Sequence, residues 1–177
     1  VLGVHDALAR ADCPHAFGGA LALAYVADPR GTVDIDVNVF LPIEDVDQVL
    51  SALAAIGLQP ALDRSTWVPI AGIRLVSDDP TFPVDVFPSL DGSYAAVEAR
   101  VAVHPFGPDR RALPFLSAED LAVFKLSFGR AKDWVDLTSI IRAGPDLDIE
   151  YVERQVVALR GPSMYPRVAR LRALLRG

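Results

Sequence analysis

The segment Val33–Phe40 constrains the chain more than any other. Val33, Ile35, Val37 and Val39 alternate with Asp34, Asp36 and Asn38. A period of two belongs to a half-buried β-strand, so the apolar residues face a core and Asp34 and Asp36 leave the opposite face together. Two neighbouring carboxylates repel unless a cation lies between them, and hard oxygen ligands of this kind suit Mg²⁺. An ordinary amphipathic strand with its polar face in water has the same pattern. Asp-Ile-Asp alone does not separate the two.

The surrounding chain supplies more of a sheet. His15 to Phe17 reads as a short strand entering Gly18-Gly19, and Ala20–Val26 as a compact apolar helix. Residues 4–11 suggest an earlier helix. Ile43–Ile56 repeats Val46, Val49, Leu50, Leu53 and Ile56 at helical spacing, with acids in its first turn and Gly57 at its end. Trp67–Ile70, Ile73–Val76 and Phe82–Phe87 are strand-like, with a turn at Asp78-Asp79-Pro80, and residues 99–116 form a hairpin around Gly107-Pro108. From Ser117 the pattern becomes helical. Ser117 and Asp120 resemble a capping box, and helices are expected over roughly 118–128, 132–142, 148–159 and 163–175, with breaks at Gly144-Pro145 and Gly161-Pro162. This order implies an α/β (α+β) core at 1–116 and a C-terminal helical region at 117–177 packed on it. About half of the 177 residues are hydrophobic, enough for a sizeable core.

Two further features bear on Asp34 and Asp36. Gly18-Gly19 ends a strand and starts a helix, where backbone N–H groups can cradle a phosphate, although such a pair is also a common turn. Asp85 lies between Val84 and Val86, which face the other way, so it supplies a third carboxylate if its strand pairs beside Val33–Phe40. By itself it is a solvated strand residue.

Gly18-Gly19, a helix, Asp34-Ile35-Asp36 and a later strand aspartate together resemble the DNA polymerase β-like nucleotidyltransferase superfamily. Arg30-x-Thr32-x-Asp34 sharpens the match. So do Glu119-Asp120-Leu121, Lys125-Leu126, Arg130-Ala131-Lys132-Asp133 and Asp136-Leu137. Over residues 15–142 the chain looks like the minimal AbiEii-type enzymes found as toxins of toxin–antitoxin pairs. The resemblance implies a nucleotidyltransferase-like mixed sheet flanked by helices. It implies a Mg²⁺-dependent enzyme that moves a nucleoside monophosphate from a nucleoside triphosphate to an acceptor hydroxyl, RNA and in particular tRNA. Asp34, Asp36 and Asp85 would hold the metal, and Asp85 would also serve as base. Gly18, Gly19, Arg30, Thr32 and Arg130 would bind nucleotide. The family often has Ser or Thr after the glycines; Ala20 here leaves phosphate binding to backbone N–H groups, Lys or Arg, and metal.

Lys125 falls on the apolar face of its helix beside Leu121, Phe124 and Phe128. Either its ammonium snorkels to water or it reaches the triphosphate; the resemblance favours the second and makes it catalytic. Lys132 and Asp136 form an i,i+4 pair, Asp133 suits a helix start, and Arg130 serves equally as a surface residue. His5, His15 and His104 lack metal-ligand spacing, no serine has a triad pattern, and Trp67 and Trp134 are expected in the core.

The net charge of −6 is unevenly spread. Residues 151–177 carry Arg154, Arg160, Arg167, Arg170, Arg172 and Arg176 against Glu153, a net +5 that leaves −11 for the other 150 residues. The basic tail is either a solvated helix face or a footprint for an RNA backbone. The acidic body also fits a small-molecule, aminoglycoside-like nucleotidyltransferase with a cationic acceptor, and Ala20 leaves room for a non-catalytic nucleotide- or partner-binding module. Cys13 is the single cysteine and no signal peptide or membrane-spanning run is visible, so a cytoplasmic address is expected, with an antitoxin protein as a partner.

Overall fold

The computed structural model describes residues 1–67, 72–77, 82–144 and 146–176. In chain order the elements are α1 (Leu2–Arg10), β1 (His15–Phe17), α2 (Gly19–Val26), β2 (Ile35–Pro42), α3 (Val46–Ala54), β3 (Gln59–Pro60), β4 (Ile73–Val76), β5 (Val84–Ser89), α4 (Tyr94–Glu98), β6 (Ala102–Phe106), β7 (Arg111–Phe115), α5 (Ala118–Phe128), α6 (Ala131–Ala143), α7 (Ile149–Arg160) and α8 (Tyr165–Leu175). The strands form one mixed sheet in the order β3-β4-β5-β2-β1-β7-β6. β2 runs parallel to β5, and β1 parallel to β7; the other neighbours are antiparallel.

The alternation in β2 does what its period requires. Ile35, Val37 and Val39 are buried with Val84 and Val86 of β5, and α1 and α3 close this side with Val4, Leu8, Val49 and Leu53. Each such side chain contributes roughly 1.5–3 kcal/mol when fully withdrawn from water. A second cluster, with Val123, Leu126, Leu137, Val152, Val156 and Leu171, holds α5 to α8 together. α5 joins the two, because Leu121 belongs to the first cluster and Ala122 to the second.

Several boundaries moved. β2 starts at Ile35 and ends at Pro42, so Asp34 sits just ahead of the strand, where Ile35 N–H donates to the Pro83 carbonyl. The expected helix over 43–56 is a single 3₁₀ turn, Ile43–Asp45, followed by α3. β5 begins after Pro83 and continues through Pro88, which pairs with Val39 where the register shifts. The two-residue β3 and the short α4 carry too little pattern to be read from sequence. Trp67 follows a 3₁₀ turn and is partly buried; residues 68–70 of the strand expected there, and the turn expected at 78–80, lie outside the described residues. Among the described residues no helix is long and apolar enough to cross a membrane.

The basic tail is more occupied than its charge suggested. Arg167 donates through Nη1 to the carbonyls of Leu126 (2.6 Å) and Ser127 (2.7 Å) at the C-terminus of α5. Gly129, left-handed at φ 65°, leaves room for that guanidinium where any Cβ would collide with it. Arg172 pairs with Glu153 at 2.7 Å, and Arg170 lies 3.9 Å over the half-buried Trp134 ring.

Candidate active site

β1 and β2 meet with Phe17 opposite Val37, and Gly18 N–H donates to the Asp36 carbonyl at 2.9 Å. The turn out of β1 is thereby fixed against β2, and α2 starts beside the Asp36 side chain. Gly19 has φ +54°, and a Cβ there would run into the Asp36 carboxylate. Glycine is required at this point both for its backbone conformation and for the close approach.

Parallel pairing sets Asp36 opposite Asp85, with Ile35 opposite Val84 and Val37 opposite Val86. The expected neighbouring carboxylate is therefore present, in register and on the same face. Burial pushes the Asp36 carboxyl up to about 6, and the charges of Asp34 and Asp85 push the same way, against Lys125 and Lys132. Asp34 is held by Thr32, whose hydroxyl donates to its carboxylate at 2.6 Å. Both oxygens of Asp85 are taken by Arg74, with Nε–Oδ1 at 2.8 Å and Nη2–Oδ2 at 2.7 Å.

A second charged group faces this one from the helices. Lys125 is 6% exposed, and its ammonium donates to Asp136 at 2.6 Å and lies 3.6 Å from Asp133. Snorkelling to water is thus excluded: a buried ammonium needs partners, and two buried carboxylates supply them. Arg30 closes the other side of Asp136 as a fork, 2.8 and 2.9 Å. Burial raises the Asp136 carboxyl, but these hydrogen bonds from Arg30 and Lys125 outweigh it and hold the group below its ordinary value. The i,i+4 partner anticipated for Asp136 was Lys132; its contacts go to Arg30 and Lys125 instead. Asp133 is the helix-start residue expected, accepting the Arg130 backbone N–H at 2.9 Å and the Arg130 Nε at 2.8 Å, while the Arg130 guanidinium covers the Phe128 ring.

The two groups share one cavity, whose polar walls are Gly19, Asp36, Asn38, Lys125, Arg130 and Asp133, with Phe87, Phe124 and Phe128 as its apolar wall. Gly18 and Gly19, the aspartates 34, 36 and 85, Thr32, Lys125 and Arg130 are therefore brought to one region; Arg30 reaches it through Asp136. Sequence reasoning missed Arg74, which the alternation Ile73-Arg74-Leu75-Val76 places on the polar side of β4. It also passed over the buried Asn38, which continues the Asp34, Asp36 face. His5 and His15 do make a contact, Nδ1 to Nε2 at 3.0 Å, with His15 opposite Val39 on the core side of β2.

The carboxylates suit Mg²⁺ by their chemistry, since hard oxygen donors lie on adjacent strands and the Asp36 carboxyl is raised by burial and by its acidic neighbours. They are not gathered into a ready cage: among the described residues no three His, Cys, Asp or Glu side chains are already grouped to hold a metal ion. Thr32 donates to Asp34, and Arg74 donates to both oxygens of Asp85.

No protein-family model and no curated protein matches the sequence. Solved structures do. The antibiotic-resistance factor ANT(2'')-Ia in solution superposes with a TM-score of 0.59 at 16% identity, over 96% of this chain and 92% of that one. Its crystal structure with adenylyl-2''-tobramycin gives 0.53 at 16% identity, over 99% and 94%. The lincosamide antibiotic adenylyltransferase LnuA, with lincomycin bound, gives 0.53 at 14% identity, over 76% and 90%. At such identities the likeness is one of backbone architecture, and on that ground the chain has the nucleotidyltransferase fold.

Proposed function

We propose that this chain is a Mg²⁺-dependent nucleotidyltransferase that moves a nucleoside monophosphate from a nucleoside triphosphate to an acceptor hydroxyl. One juxtaposition carries the reading. Asp36 and Asp85 stand in register on adjacent parallel strands, Asp34 precedes them, and the glycine turn into α2 closes directly on Asp36. Asp34, Asp36 and Asp85 would hold the metal, which when bound neutralises the triphosphate and stabilises the entering and leaving oxygens of an in-line displacement. The backbone N–H groups at the start of α2 receive phosphate oxygens, with no hydroxyl from Ala20. Lys125 donates to Asp136, has Asp133 as a second counter-charge at 3.6 Å, and keeps donor directions for the cavity it lines. Arg30 and Arg130 flank it as further phosphate ligands. Asp85 takes the acceptor's proton.

The acceptor we favour is a small, cationic, hydroxyl-bearing molecule. Three of the six tail arginines are engaged within the fold, which removes much of the support that tail charge lent to RNA. The acidic body attracts a cation, and LnuA and ANT(2'')-Ia, with lincomycin and adenylyl-tobramycin bound, share the backbone. The RNA reading, with tRNA as acceptor, a toxin role and an antitoxin partner, rests on the AbiEii-type likeness of residues 30–36 and 119–137. A cytoplasmic location accompanies either acceptor, because nucleoside triphosphates and Mg²⁺ are held there.

The test is incubation with each α-labelled nucleoside triphosphate and Mg²⁺, once with total cellular RNA and once with a panel of aminoglycosides and lincosamides. Label should move to a small product in the wild type and not in Asp36→Asn. Label on RNA alone would restore the RNA reading. No transfer to either pool by folded protein would sink the proposal.

A further inference from the structure

Arg74 occupies a position that the proposed reaction does not explain. It pairs in register with Asp85 across the antiparallel β4 and β5, and Asp85 pairs in register with Asp36 across the parallel β5 and β2. Cross-strand partners project to the same face, so Arg74, Asp85 and Asp36 form one row over three adjacent strands. The Arg74 guanidinium closes on Asp85 with one donor to each oxygen, and its Nη2 lies 3.8 Å from Asp34 Oδ2. It therefore neutralises two of the three carboxylates at once.

We propose that Arg74 is a built-in counter-cation that competes with a divalent metal for Asp85 and Asp34, so that loading the site requires its guanidinium to swing away. This inference rests on the reading of the three aspartates as a metal site. A guanidinium does not lose its proton in a protein, so it can yield the carboxylates only by moving. A metal bound to the Asp85 oxygens with Arg74 still in place would face a second cation across a single carboxylate, and like charges at such spacing repel strongly. Movement is open to it. The Arg74 side chain is half exposed, and on its other side β4 pairs with the short β3, Gln59–Pro60. The pair is also partly wet, so the lock is weak enough to be released by a divalent ion. Both Asp85 oxygens are occupied by Arg74, and among the described residues no three such side chains are already grouped to hold a metal ion.

The experiment compares metal-free wild type, Arg74→Gln, Arg74→Lys and Asp36→Asn by Mn²⁺ titration calorimetry and by the Mn²⁺ electron paramagnetic resonance signal. Folding is checked by circular dichroism. Arg74→Gln should bind Mn²⁺ about three- to tenfold more tightly than wild type, the size expected for losing a partly exposed forked ion pair. Arg74→Lys, which keeps the charge but not the fork, should fall between them. Metal-free Arg74→Gln should melt below wild type and be raised further by Mn²⁺. Unchanged or weaker Mn²⁺ binding in folded Arg74→Gln, with binding lost in Asp36→Asn, overturns the competition while leaving the metal site standing. Equal binding by wild type and Asp36→Asn removes the metal site, and the role of Arg74 with it.

Discussion

Asp36→Asn isolates the electrostatic strain at the centre of the site. Asp36 is mostly buried between two other carboxylates, and its own carboxyl is held up to about 6 from 3.8. In the window between those values the folded protein binds more protons at this residue than the unfolded chain. Stability therefore falls as pH rises from about 4 to about 6 and is flat above. A shift of this size corresponds to at most about 3 kcal/mol by linkage. Asparagine has nearly the same shape and no charge. In the absence of metal the variant should match wild type near pH 4 and exceed it at pH 7.5 by about 1–3 kcal/mol, or several degrees in Tm for a chain of this size. The assay is thermal unfolding in a chelator at half-unit pH steps, followed by circular dichroism. Added Mg²⁺ and nucleoside triphosphate should raise the wild-type Tm and leave the variant nearly unmoved. A variant less stable than wild type at pH 7.5, or a difference independent of pH, would refute the assignment of strain to Asp36.

Other perturbations separate structural from functional roles. Lys125→Met leaves Asp136 and Asp133 buried without their shared cation and should cost on the order of 3–5 kcal/mol in urea unfolding, whereas a change under about 1 kcal/mol would show that Arg30 and Arg130 suffice. Arg167→Glu puts a carboxylate against the carbonyl end of α5 and should destabilise the protein by about 2–4 kcal/mol, rather than weakening acceptor binding in an intact fold; wild-type stability would return Arg167 to the list of free surface charges. Thr32→Val frees Asp34 from its hydroxyl partner and should slow transfer severalfold without abolishing it, and Thr32→Glu should abolish it; equal rates in Thr32→Glu and wild type at saturating Mg²⁺ would remove Thr32 from the site.

Period and punctuation in the sequence determined much of this protein. The alternation of β2 placed Asp36 and Asn38 on one face, Gly18-Gly19 marked the entry to α2, and the helical repeats of 118–175 appeared within one or two residues of their expected places. These are local properties, encoded by side-chain spacing and by what glycine and proline do to φ. The tertiary structure alone decided which strands are neighbours. Asp85 lies about fifty residues from Asp36, and only parallel pairing of β2 with β5 brings the two into register. The same holds for Arg74, whose partner is set by β4 lying against β5, and for Lys125, whose burial between Asp133 and Asp136 depends on how α5 packs on α6. Tail charge was legible as a count, but its availability was not, because ion pairs and helix-end contacts such as those of Arg172 and Arg167 form only when distant helices meet. A sequence specifies the charges and the faces on which they lie; which charges cancel depends on distances that exist only in the folded chain.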